Sequence, residues 1–320
     1  MKIGIIGCGR WGSFHAWYSA KIGHDVKLYG RATSKHMQQL ESTGGNEYLK
    51  LPENVTLIKD LEYTVYSSNV IIISVGTQNL RGLLKEIDAL NLDLSKKNFV
   101  LCMKGLERNT GKRLSTIFAE TLNSRNLAVW VGPGHVQDFV QSIPNCMVMA
   151  SIRENLAHEM VEVFKSPLIR FYYGEDLVGI EIGAAAKNVI GIAAGMLDGL
   201  NCTSLKGALM ARGTVELSRL VESLGGDKMS IYGLSHLGDY EATLFSNYSH
   251  NRKFGEEFVQ SKNFDKLAEG VETVAALIEL SKITGVELPI CGAVYKILYE
   301  KADPEEQLMN LFMRAPKTEY

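Results

Sequence analysis

The apolar positions along this chain keep two different rhythms. In the first half, short apolar runs alternate with stretches of mixed polarity: residues 2–6 (KIGII), 25–29 (DVKLY), 70–75 (VIIISV), 99–103 (FVLCM) and 127–131 (LAVWV). Runs this short predict strands buried in a parallel sheet. Between them, residues 13–22 and 80–90 read as helices. The predicted architecture is α/β, a doubly wound parallel sheet over residues 1–175.

From residue 176 the strand-like runs stop. Leu217, Leu220, Val221 and Leu224 follow i, i+3, i+4, i+7, and Val271, Val274, Ala275 and Ile278 repeat the pattern. Pro289 suits a first helical turn, with Ile290, Ala293, Val294 and Ile297 on one face behind it. Residues 176–320 therefore predict an all-α second domain. Its first helix, 176–199, opens at Asp176 and carries glycine at 179, 183, 191, 195 and 199. Glycine costs about 1 kcal/mol against alanine inside a helix, so a stripe of it implies close approach by a backbone or a ligand. The step that the stripe skips, 187, is a lysine followed by Asn188. Four residues advance about 400°, which puts Lys187 on the stripe. Either its stem carries the ammonium out to solvent, or a cation sits in an apolar, glycine-lined surface. The stretch 233–255, dense in Asp239, Thr243, Ser249, His250, Asn251 and Arg252, is predicted to be a polar loop offering a substrate surface.

Composition narrows the classes of function. Hydrophobic residues make up 46% and charged residues 22% of the chain, an ordinary globular balance. A net charge of -2 gives no electrostatic footprint for nucleic acid. Cys8, Cys102, Cys146, Cys202 and Cys291 are widely spaced with no C-x-x-C, which predicts reduced thiols in the cytoplasm and neither a disulfide frame nor a metal site. The amino terminus runs directly into a strand and a glycine loop, unlike a signal peptide. The most apolar helix carries Glu181, Lys187 and Asp198, so no membrane insertion is expected.

The candidate chemistry falls at strand ends. Gly7-Cys8-Gly9-Arg10-Trp11-Gly12 follows the first strand and opens a helix, and a second strand completes a βαβ unit. Glycines there let backbone approach a pyrophosphate, and the helix N-terminus offers donors to it. An acidic residue ending the second strand would favour the ribose hydroxyl of NAD; here Tyr29-Gly30-Arg31 stands instead. Arg31 either reaches a 2′-phosphate, giving NADP, or lies in solvent. Gly76, Lys104 and Gly132 follow three other strands, where ligands of open parallel sheets collect. His135 begins the next helix or joins that group.

Read together, GCGRWG, MKGLE (103–107), VGPGH (131–135), GAAAKNVIGIAAG (183–195), GLSHLGDY (233–240), NRKFGE (251–256), EGVET (269–273) and GVELPI (285–290) resemble the bacterial-type NAD(P)-dependent glycerol-3-phosphate dehydrogenases over nearly the whole chain. The resemblance implies a Rossmann-type cofactor domain over 1–175 and a helical substrate and catalytic domain over 176–320. It implies hydride transfer between dihydroxyacetone phosphate and sn-glycerol 3-phosphate, supplying phospholipid synthesis. Lys187 becomes the general acid/base, with Lys104 and Asp239 beside it. Lys104, Gly132, Lys187, Asn188, Asp239, Thr243, Ser249, His250 and Asn251 become substrate contacts. Gly7, Gly9, Arg10, Trp11, Gly12, Arg31, Lys104, Val136, Asn251 and Glu269 become contacts of NAD or NADP. A cytoplasmic homodimer is implied as well.

Two departures bear on the substrate. The family's S-R-N is Ser249-His250-Asn251 here, so an arginine that clamps substrate phosphate is replaced by a histidine of lower pKa and fewer donors. His250, Arg252 and His135 are the candidates to compensate. The hydroxyl residue after G-P is Gly134. A β-hydroxyacid dehydrogenase would need G-x-x-x-K-x-x-N, but residue 190 is isoleucine. A cofactor-sensing regulator would have no need of Lys104, Lys187, Asp239 and Thr243 together.

Overall fold

Ile3, Ile5, Ile72, Val100 and Ala128 have no exposed surface, and the runs that hold them are strands of one sheet. The computed structural model describes residues 1–316, 318 and 319. It forms two units, Met1–Met103 with Leu114–Glu175 and Lys104–Arg113 with Asp176–Tyr320.

The first unit holds β1 (Lys2–Ile6), β2 (Asp25–Tyr29), β3 (Val55–Ile58), β4 (Val70–Ile73), β5 (Asn98–Leu101), β6 (Leu127–Val131), β7 (Asn145–Ala150) and β8 (Ile169–Gly174). Their order is β3-β2-β1-β4-β5-β6-β7-β8. Strands β1 to β6 are parallel, with Ile3 in register between Val26 and Val70. Strand β7 runs antiparallel to β6 and parallel to β8, so the sheet is mostly parallel and not wholly so. The order reverses between β1 and β4, the switch point beside which such sheets bind ligands. Helices α1 (Arg10–Lys21), α2 (Lys35–Thr43), α3 (Leu61–Ser67), α4 (Leu80–Asp88), α5 (Leu114–Thr121), α6 (Val136–Val140) and α7 (Glu154–Phe164) connect the strands. Phe14, Tyr18, Trp130, Phe139 and Phe164 fill a core on one side of the sheet.

The second unit is helical: α8 (Leu177–Gly199), α9 (Lys206–Ser223), α10 (His250–Val259), α11 (Glu269–Thr284), α12 (Pro289–Tyr299) and α13 (Pro304–Phe312). Helix α8 is capped by Asp176, whose carboxylate accepts from the Gly179 amide at 3.0 Å. By length and composition α8 could cross a membrane, yet 89% of its most apolar window is buried within the protein. It is the core of its unit.

Two expectations need correction. Residues 104–113 group with the second unit, not the first. Leu106 enters its core with no exposed surface, and Arg113 pairs with buried Glu181 at 2.7 Å. Residues 233–255 are no open loop. They contain a 3₁₀ turn (Leu237–Asp239), a π-helical turn (Glu241–Phe245) and the start of α10. The glycine stripe of α8 receives this segment. A Cβ at Gly183 would meet His236 at 3.1 Å, one at Gly191 would meet Thr243 at 2.8 Å, and one at Gly195 would lie 1.8 Å from the Arg252 carbonyl oxygen.

Candidate active site

In the first unit, the loop between β1 and α1 is shaped by its glycines. Gly7 has φ +111°, and a Cβ on it would lie 2.2 Å from the Ser74 carbonyl oxygen. A Cβ on Gly12 would lie 1.7 Å from the Gly7 carbonyl oxygen. Gly9 differs, since a Cβ there meets nothing within 4 Å. Gly9 is the N-cap of α1 and no side chain caps the first turn, so backbone amides line an open cradle that fits a pyrophosphate.

Arg10 borders this cradle. Its Nη2 donates to Gln137 at 2.7 Å and its guanidinium lies over Tyr48, while its Nε is buried without a partner. Burial lowers its pKa from the usual arginine value. A half-buried cation with a buried, unused donor fits a bound anion. Trp11 is half-buried, edge-on to Phe14. Arg31 is exposed and pairs with Glu86 on α4 at 2.7 Å.

At the β6–α6 corner, Val136 has no exposed surface and its side chain packs in the core, which leaves its backbone to meet any cofactor. Gly132 has φ +142°, and a Cβ on it would lie 2.9 Å from the Met147 Cα. At Gly134, φ is +124° and a Cβ would strike the Phe139 ring at 2.7 Å, which excludes a hydroxyl side chain there. His135 is the N-cap of α6, with its Nδ1 3.5 Å from Arg10.

The second unit gathers the other predicted residues into one buried cluster. A single oxygen of Asp239, Oδ2, lies 2.7 Å from Lys187 Nζ and 2.9 Å from Lys104 Nζ. Lys187 also donates to Thr243 Oγ1 at 2.7 Å. Helix α8 supplies Lys187, the 3₁₀ turn Asp239, the π-helical turn Thr243, and the strand-end segment 104–113 Lys104. Lys187 is 5% exposed and Asp239 1%. The ammonium is therefore not carried to solvent. Burial lowers the Lys187 pKa to about 8, against the opposing pull of Asp239 and with further lowering by Lys104.

A chain of amides frames the cluster. Asn188 Nδ2 donates to the Lys104 carbonyl at 2.8 Å, Asn251 Nδ2 donates to Asn188 Oδ1 at 3.1 Å, and the Gly270 amide donates to Asn251 Oδ1 at 2.9 Å. Glu269 opens α11, and its charge raises the Lys187 pKa. Ser249 is spent on capping α10, accepting from the Arg252 amide at 3.3 Å. His250 Nδ1 donates to the Leu267 carbonyl at 3.3 Å. Arg252 does not stand in for the absent arginine. Its guanidinium pairs with Asp198 at 2.8 Å and Glu256 at 2.9 Å, only 10% exposed.

Sequence reading missed several residues here. Asp198 accepts from Lys206 at 2.6 Å as well as from Arg252, and Lys206 in turn donates to the Leu244 carbonyl at 2.9 Å. These bonds tie the π-helical turn to α8. His236 and Tyr240 lie bonded to each other at 2.6 Å behind Asp239. No spacing rule flags the Asp198 pairs, whose partners come from different elements, and His236 and Tyr240 flank a turn too short to show a period.

Comparison with known proteins fits this arrangement. A model described as NAD-dependent glycerol-3-phosphate dehydrogenase N-terminus matches residues 2–157, and its C-terminus counterpart matches 176–309. A glycerol-3-phosphate dehydrogenase [NAD(P)+] of Pelodictyon phaeoclathratiforme is 35% identical over all of this chain and 99% of its own length. One from Clostridium botulinum is 34% identical, covering 99% of each protein. The crystal structure of glycerol-3-phosphate dehydrogenase from Coxiella burnetii superposes with a TM-score of 0.90 at 27% identity, over 98% of this chain and 99% of that one.

Proposed function

Because the chain belongs to the NAD-dependent glycerol-3-phosphate dehydrogenase family, we propose that it interconverts dihydroxyacetone phosphate and sn-glycerol 3-phosphate with NAD(H) or NADP(H). The product would supply phospholipid synthesis. The nicotinamide, when bound, gives or takes the hydride. Gly7, Gly9 and Gly12 admit the pyrophosphate, with Arg10 and Trp11 beside it. Arg31 reaches a 2′-phosphate by exchanging its exposed pairing with Glu86, a pairing worth under about 1 kcal/mol.

Lys187 moves the proton. In reduction its ammonium donates to the carbonyl oxygen as that oxygen gains charge; in oxidation its neutral amine removes the hydroxyl proton. The ketone thus gains one hydride and one proton. The observation that carries this reading is the buried Lys187–Asp239–Lys104 cluster. Two ammoniums share one carboxylate oxygen, so Asp239 alone does not neutralise both, and their donors can also face an anionic oxygen or a phosphate. Asp239 and Thr243 hold the lysine in one orientation, and the Asn188–Asn251 chain fixes the Lys104 backbone. Ser249, Asn251 and Glu269 complete the ligand contacts in this reading, and His250 meets the substrate phosphate.

Cysteines standing as thiols support a cytoplasmic location, and the family supports a homodimer, checked by light scattering. The reaction is tested by initial rates of NADH and NADPH oxidation with dihydroxyacetone phosphate near pH 6 and pH 8. Turnover is expected with either cofactor. Tight cofactor binding without turnover would overturn the substrate. It would point to another small keto compound, a reading that the commitment of Arg252 to Asp198 favours.

A further inference from the structure

The turn that carries Asp239 is fastened to the lysine helix by a side chain outside the cluster. His236 has no exposed surface. Its Nδ1 lies 2.8 Å from the Gly183 carbonyl of α8, and its Nε2 lies 2.6 Å from the Tyr240 hydroxyl. A carbonyl only accepts, so Nδ1 carries the proton and Nε2 accepts from the tyrosine. In helical geometry the Gly183 carbonyl is also the acceptor for the Lys187 amide. On the other side, the His236 carbonyl accepts the Asp239 amide at 3.0 Å. One imidazole therefore joins the backbone a turn before the lysine to the backbone a turn before the aspartate. Gly183 makes room for it, since a Cβ there would stand 3.1 Å from His236 Cβ. Burial lowers the imidazole pKa to about 4, so its bonding pattern stays constant near neutral pH.

We propose that His236, as the neutral Nδ1–H form held by Tyr240, is a positioning residue that sets the separation of Lys187 and Asp239. The kinetic part of the inference rests on Lys187 being the proton donor; the positioning itself does not. The groups facing Lys187 are Asp239 from the 3₁₀ turn, Lys104 from residues 104–113, Glu269 from α11 and neutral His236. Asp239 opposes the effect of burial most strongly. Loosening its turn therefore lowers the lysine pKa further.

The test uses His236→Leu, which fills the space without a donor, and His236→Asn, which places an amide N–H where Nδ1–H stands. The Lys187 side chain is titrated by NMR in isotope-labelled full-length protein, assigned with Lys187→Arg. The profile of kcat against pH is recorded in parallel. His236→Leu is expected to lower the Lys187 titration point by about one pH unit or more and kcat by roughly ten-fold or more, with KM for NADH unchanged. His236→Asn restores both toward the parent values. Unaltered Lys187 titration in folded His236→Leu, or an Asn variant as impaired as the Leu variant, would overturn the proposal. If the titration shifts and the kcat profile does not follow, positioning stands and Lys187 as proton donor falls. Should His236→Leu fail to fold, Tyr240→Phe removes only the hydroxyl. A smaller downward shift is expected there, and an unaltered titration overturns the proposal.

Discussion

A lysine usually stays charged well above neutral pH, and Lys187 departs from that because water is kept from it. With its pKa lowered to about 8, the direction of the pH dependence follows. With Lys187 proposed as the proton donor, kcat for ketone reduction should be full well below about pH 8, half lost near about pH 8 and small above it. Oxidation needs the neutral amine, so kcat for alcohol oxidation rises through the same region. Lys187→Ala should lower turnover by roughly 10²–10⁴-fold while leaving the Kd for NADH unchanged. Asp239→Asn removes the attraction that opposes burial, so its falling limb should move to lower pH; a limb at or above the parent position would count against the pairing. The lysine itself was legible, as the one charge on a stripe of glycines. Its environment was legible only through the family resemblance, which put Lys104 and Asp239 beside it; spacing alone does not, because Asp239 and Thr243 reach it from turns distant in sequence.

The glycine stripe explains why α8 has so poor a composition for a helix. Gly183, Gly191 and Gly195 receive the segment that carries the site residues, and at Gly195 the neighbour is backbone that cannot turn aside. Gly195→Ala would place a Cβ 1.8 Å from the Arg252 carbonyl oxygen. Overpacking of this kind costs about 1–3 kcal/mol or more, and the urea midpoint should fall accordingly. Gly82→Ala in α4 is the contrast, since nothing lies within 4 Å of its Cβ. That change should raise stability by about 0.4–1 kcal/mol. A stable Gly195→Ala protein would mean that the stripe is not a packing surface. Elements were legible where burial is two-sided: β1, β2 and β6 lie where the apolar runs are. Strand β7 was missed because Asn145-Cys146-Met147-Val148-Met149-Ala150 has one β-branched residue. Residues 233–255 read as loop because their apolar partners, the α8 glycines, leave no hydrophobic period to detect.

At the scale of the whole molecule, the glycine loop and the proposed proton-transfer cluster lie in different units, and the chain crosses between them at more than one place. The two-part division was legible from the change of rhythm at residue 176. The return of 104–113 to the helical unit was not, because its reason lies in single contacts, Leu106 in a core and Arg113 on Glu181. A division of labour between units can be tested by separating its losses. Gly9 is the residue to change in the first unit, for its backbone is extended at φ -76° and ψ -165° and a Cβ there meets no atom within 4 Å. Gly9→Val should therefore fold like the parent, apart from up to about 1 kcal/mol for a poorer N-cap. Its branched side chain would fill the cradle into which the pyrophosphate must come. Isothermal titration should show NADH and NADPH affinity lowered at least ten-fold, while the NMR titration of Lys187 stays at its parent position. Lys187→Ala should show the reverse, with full affinity and lost turnover. Cofactor affinity unchanged in Gly9→Val would remove the glycine loop from the binding site and leave the catalytic cluster untouched.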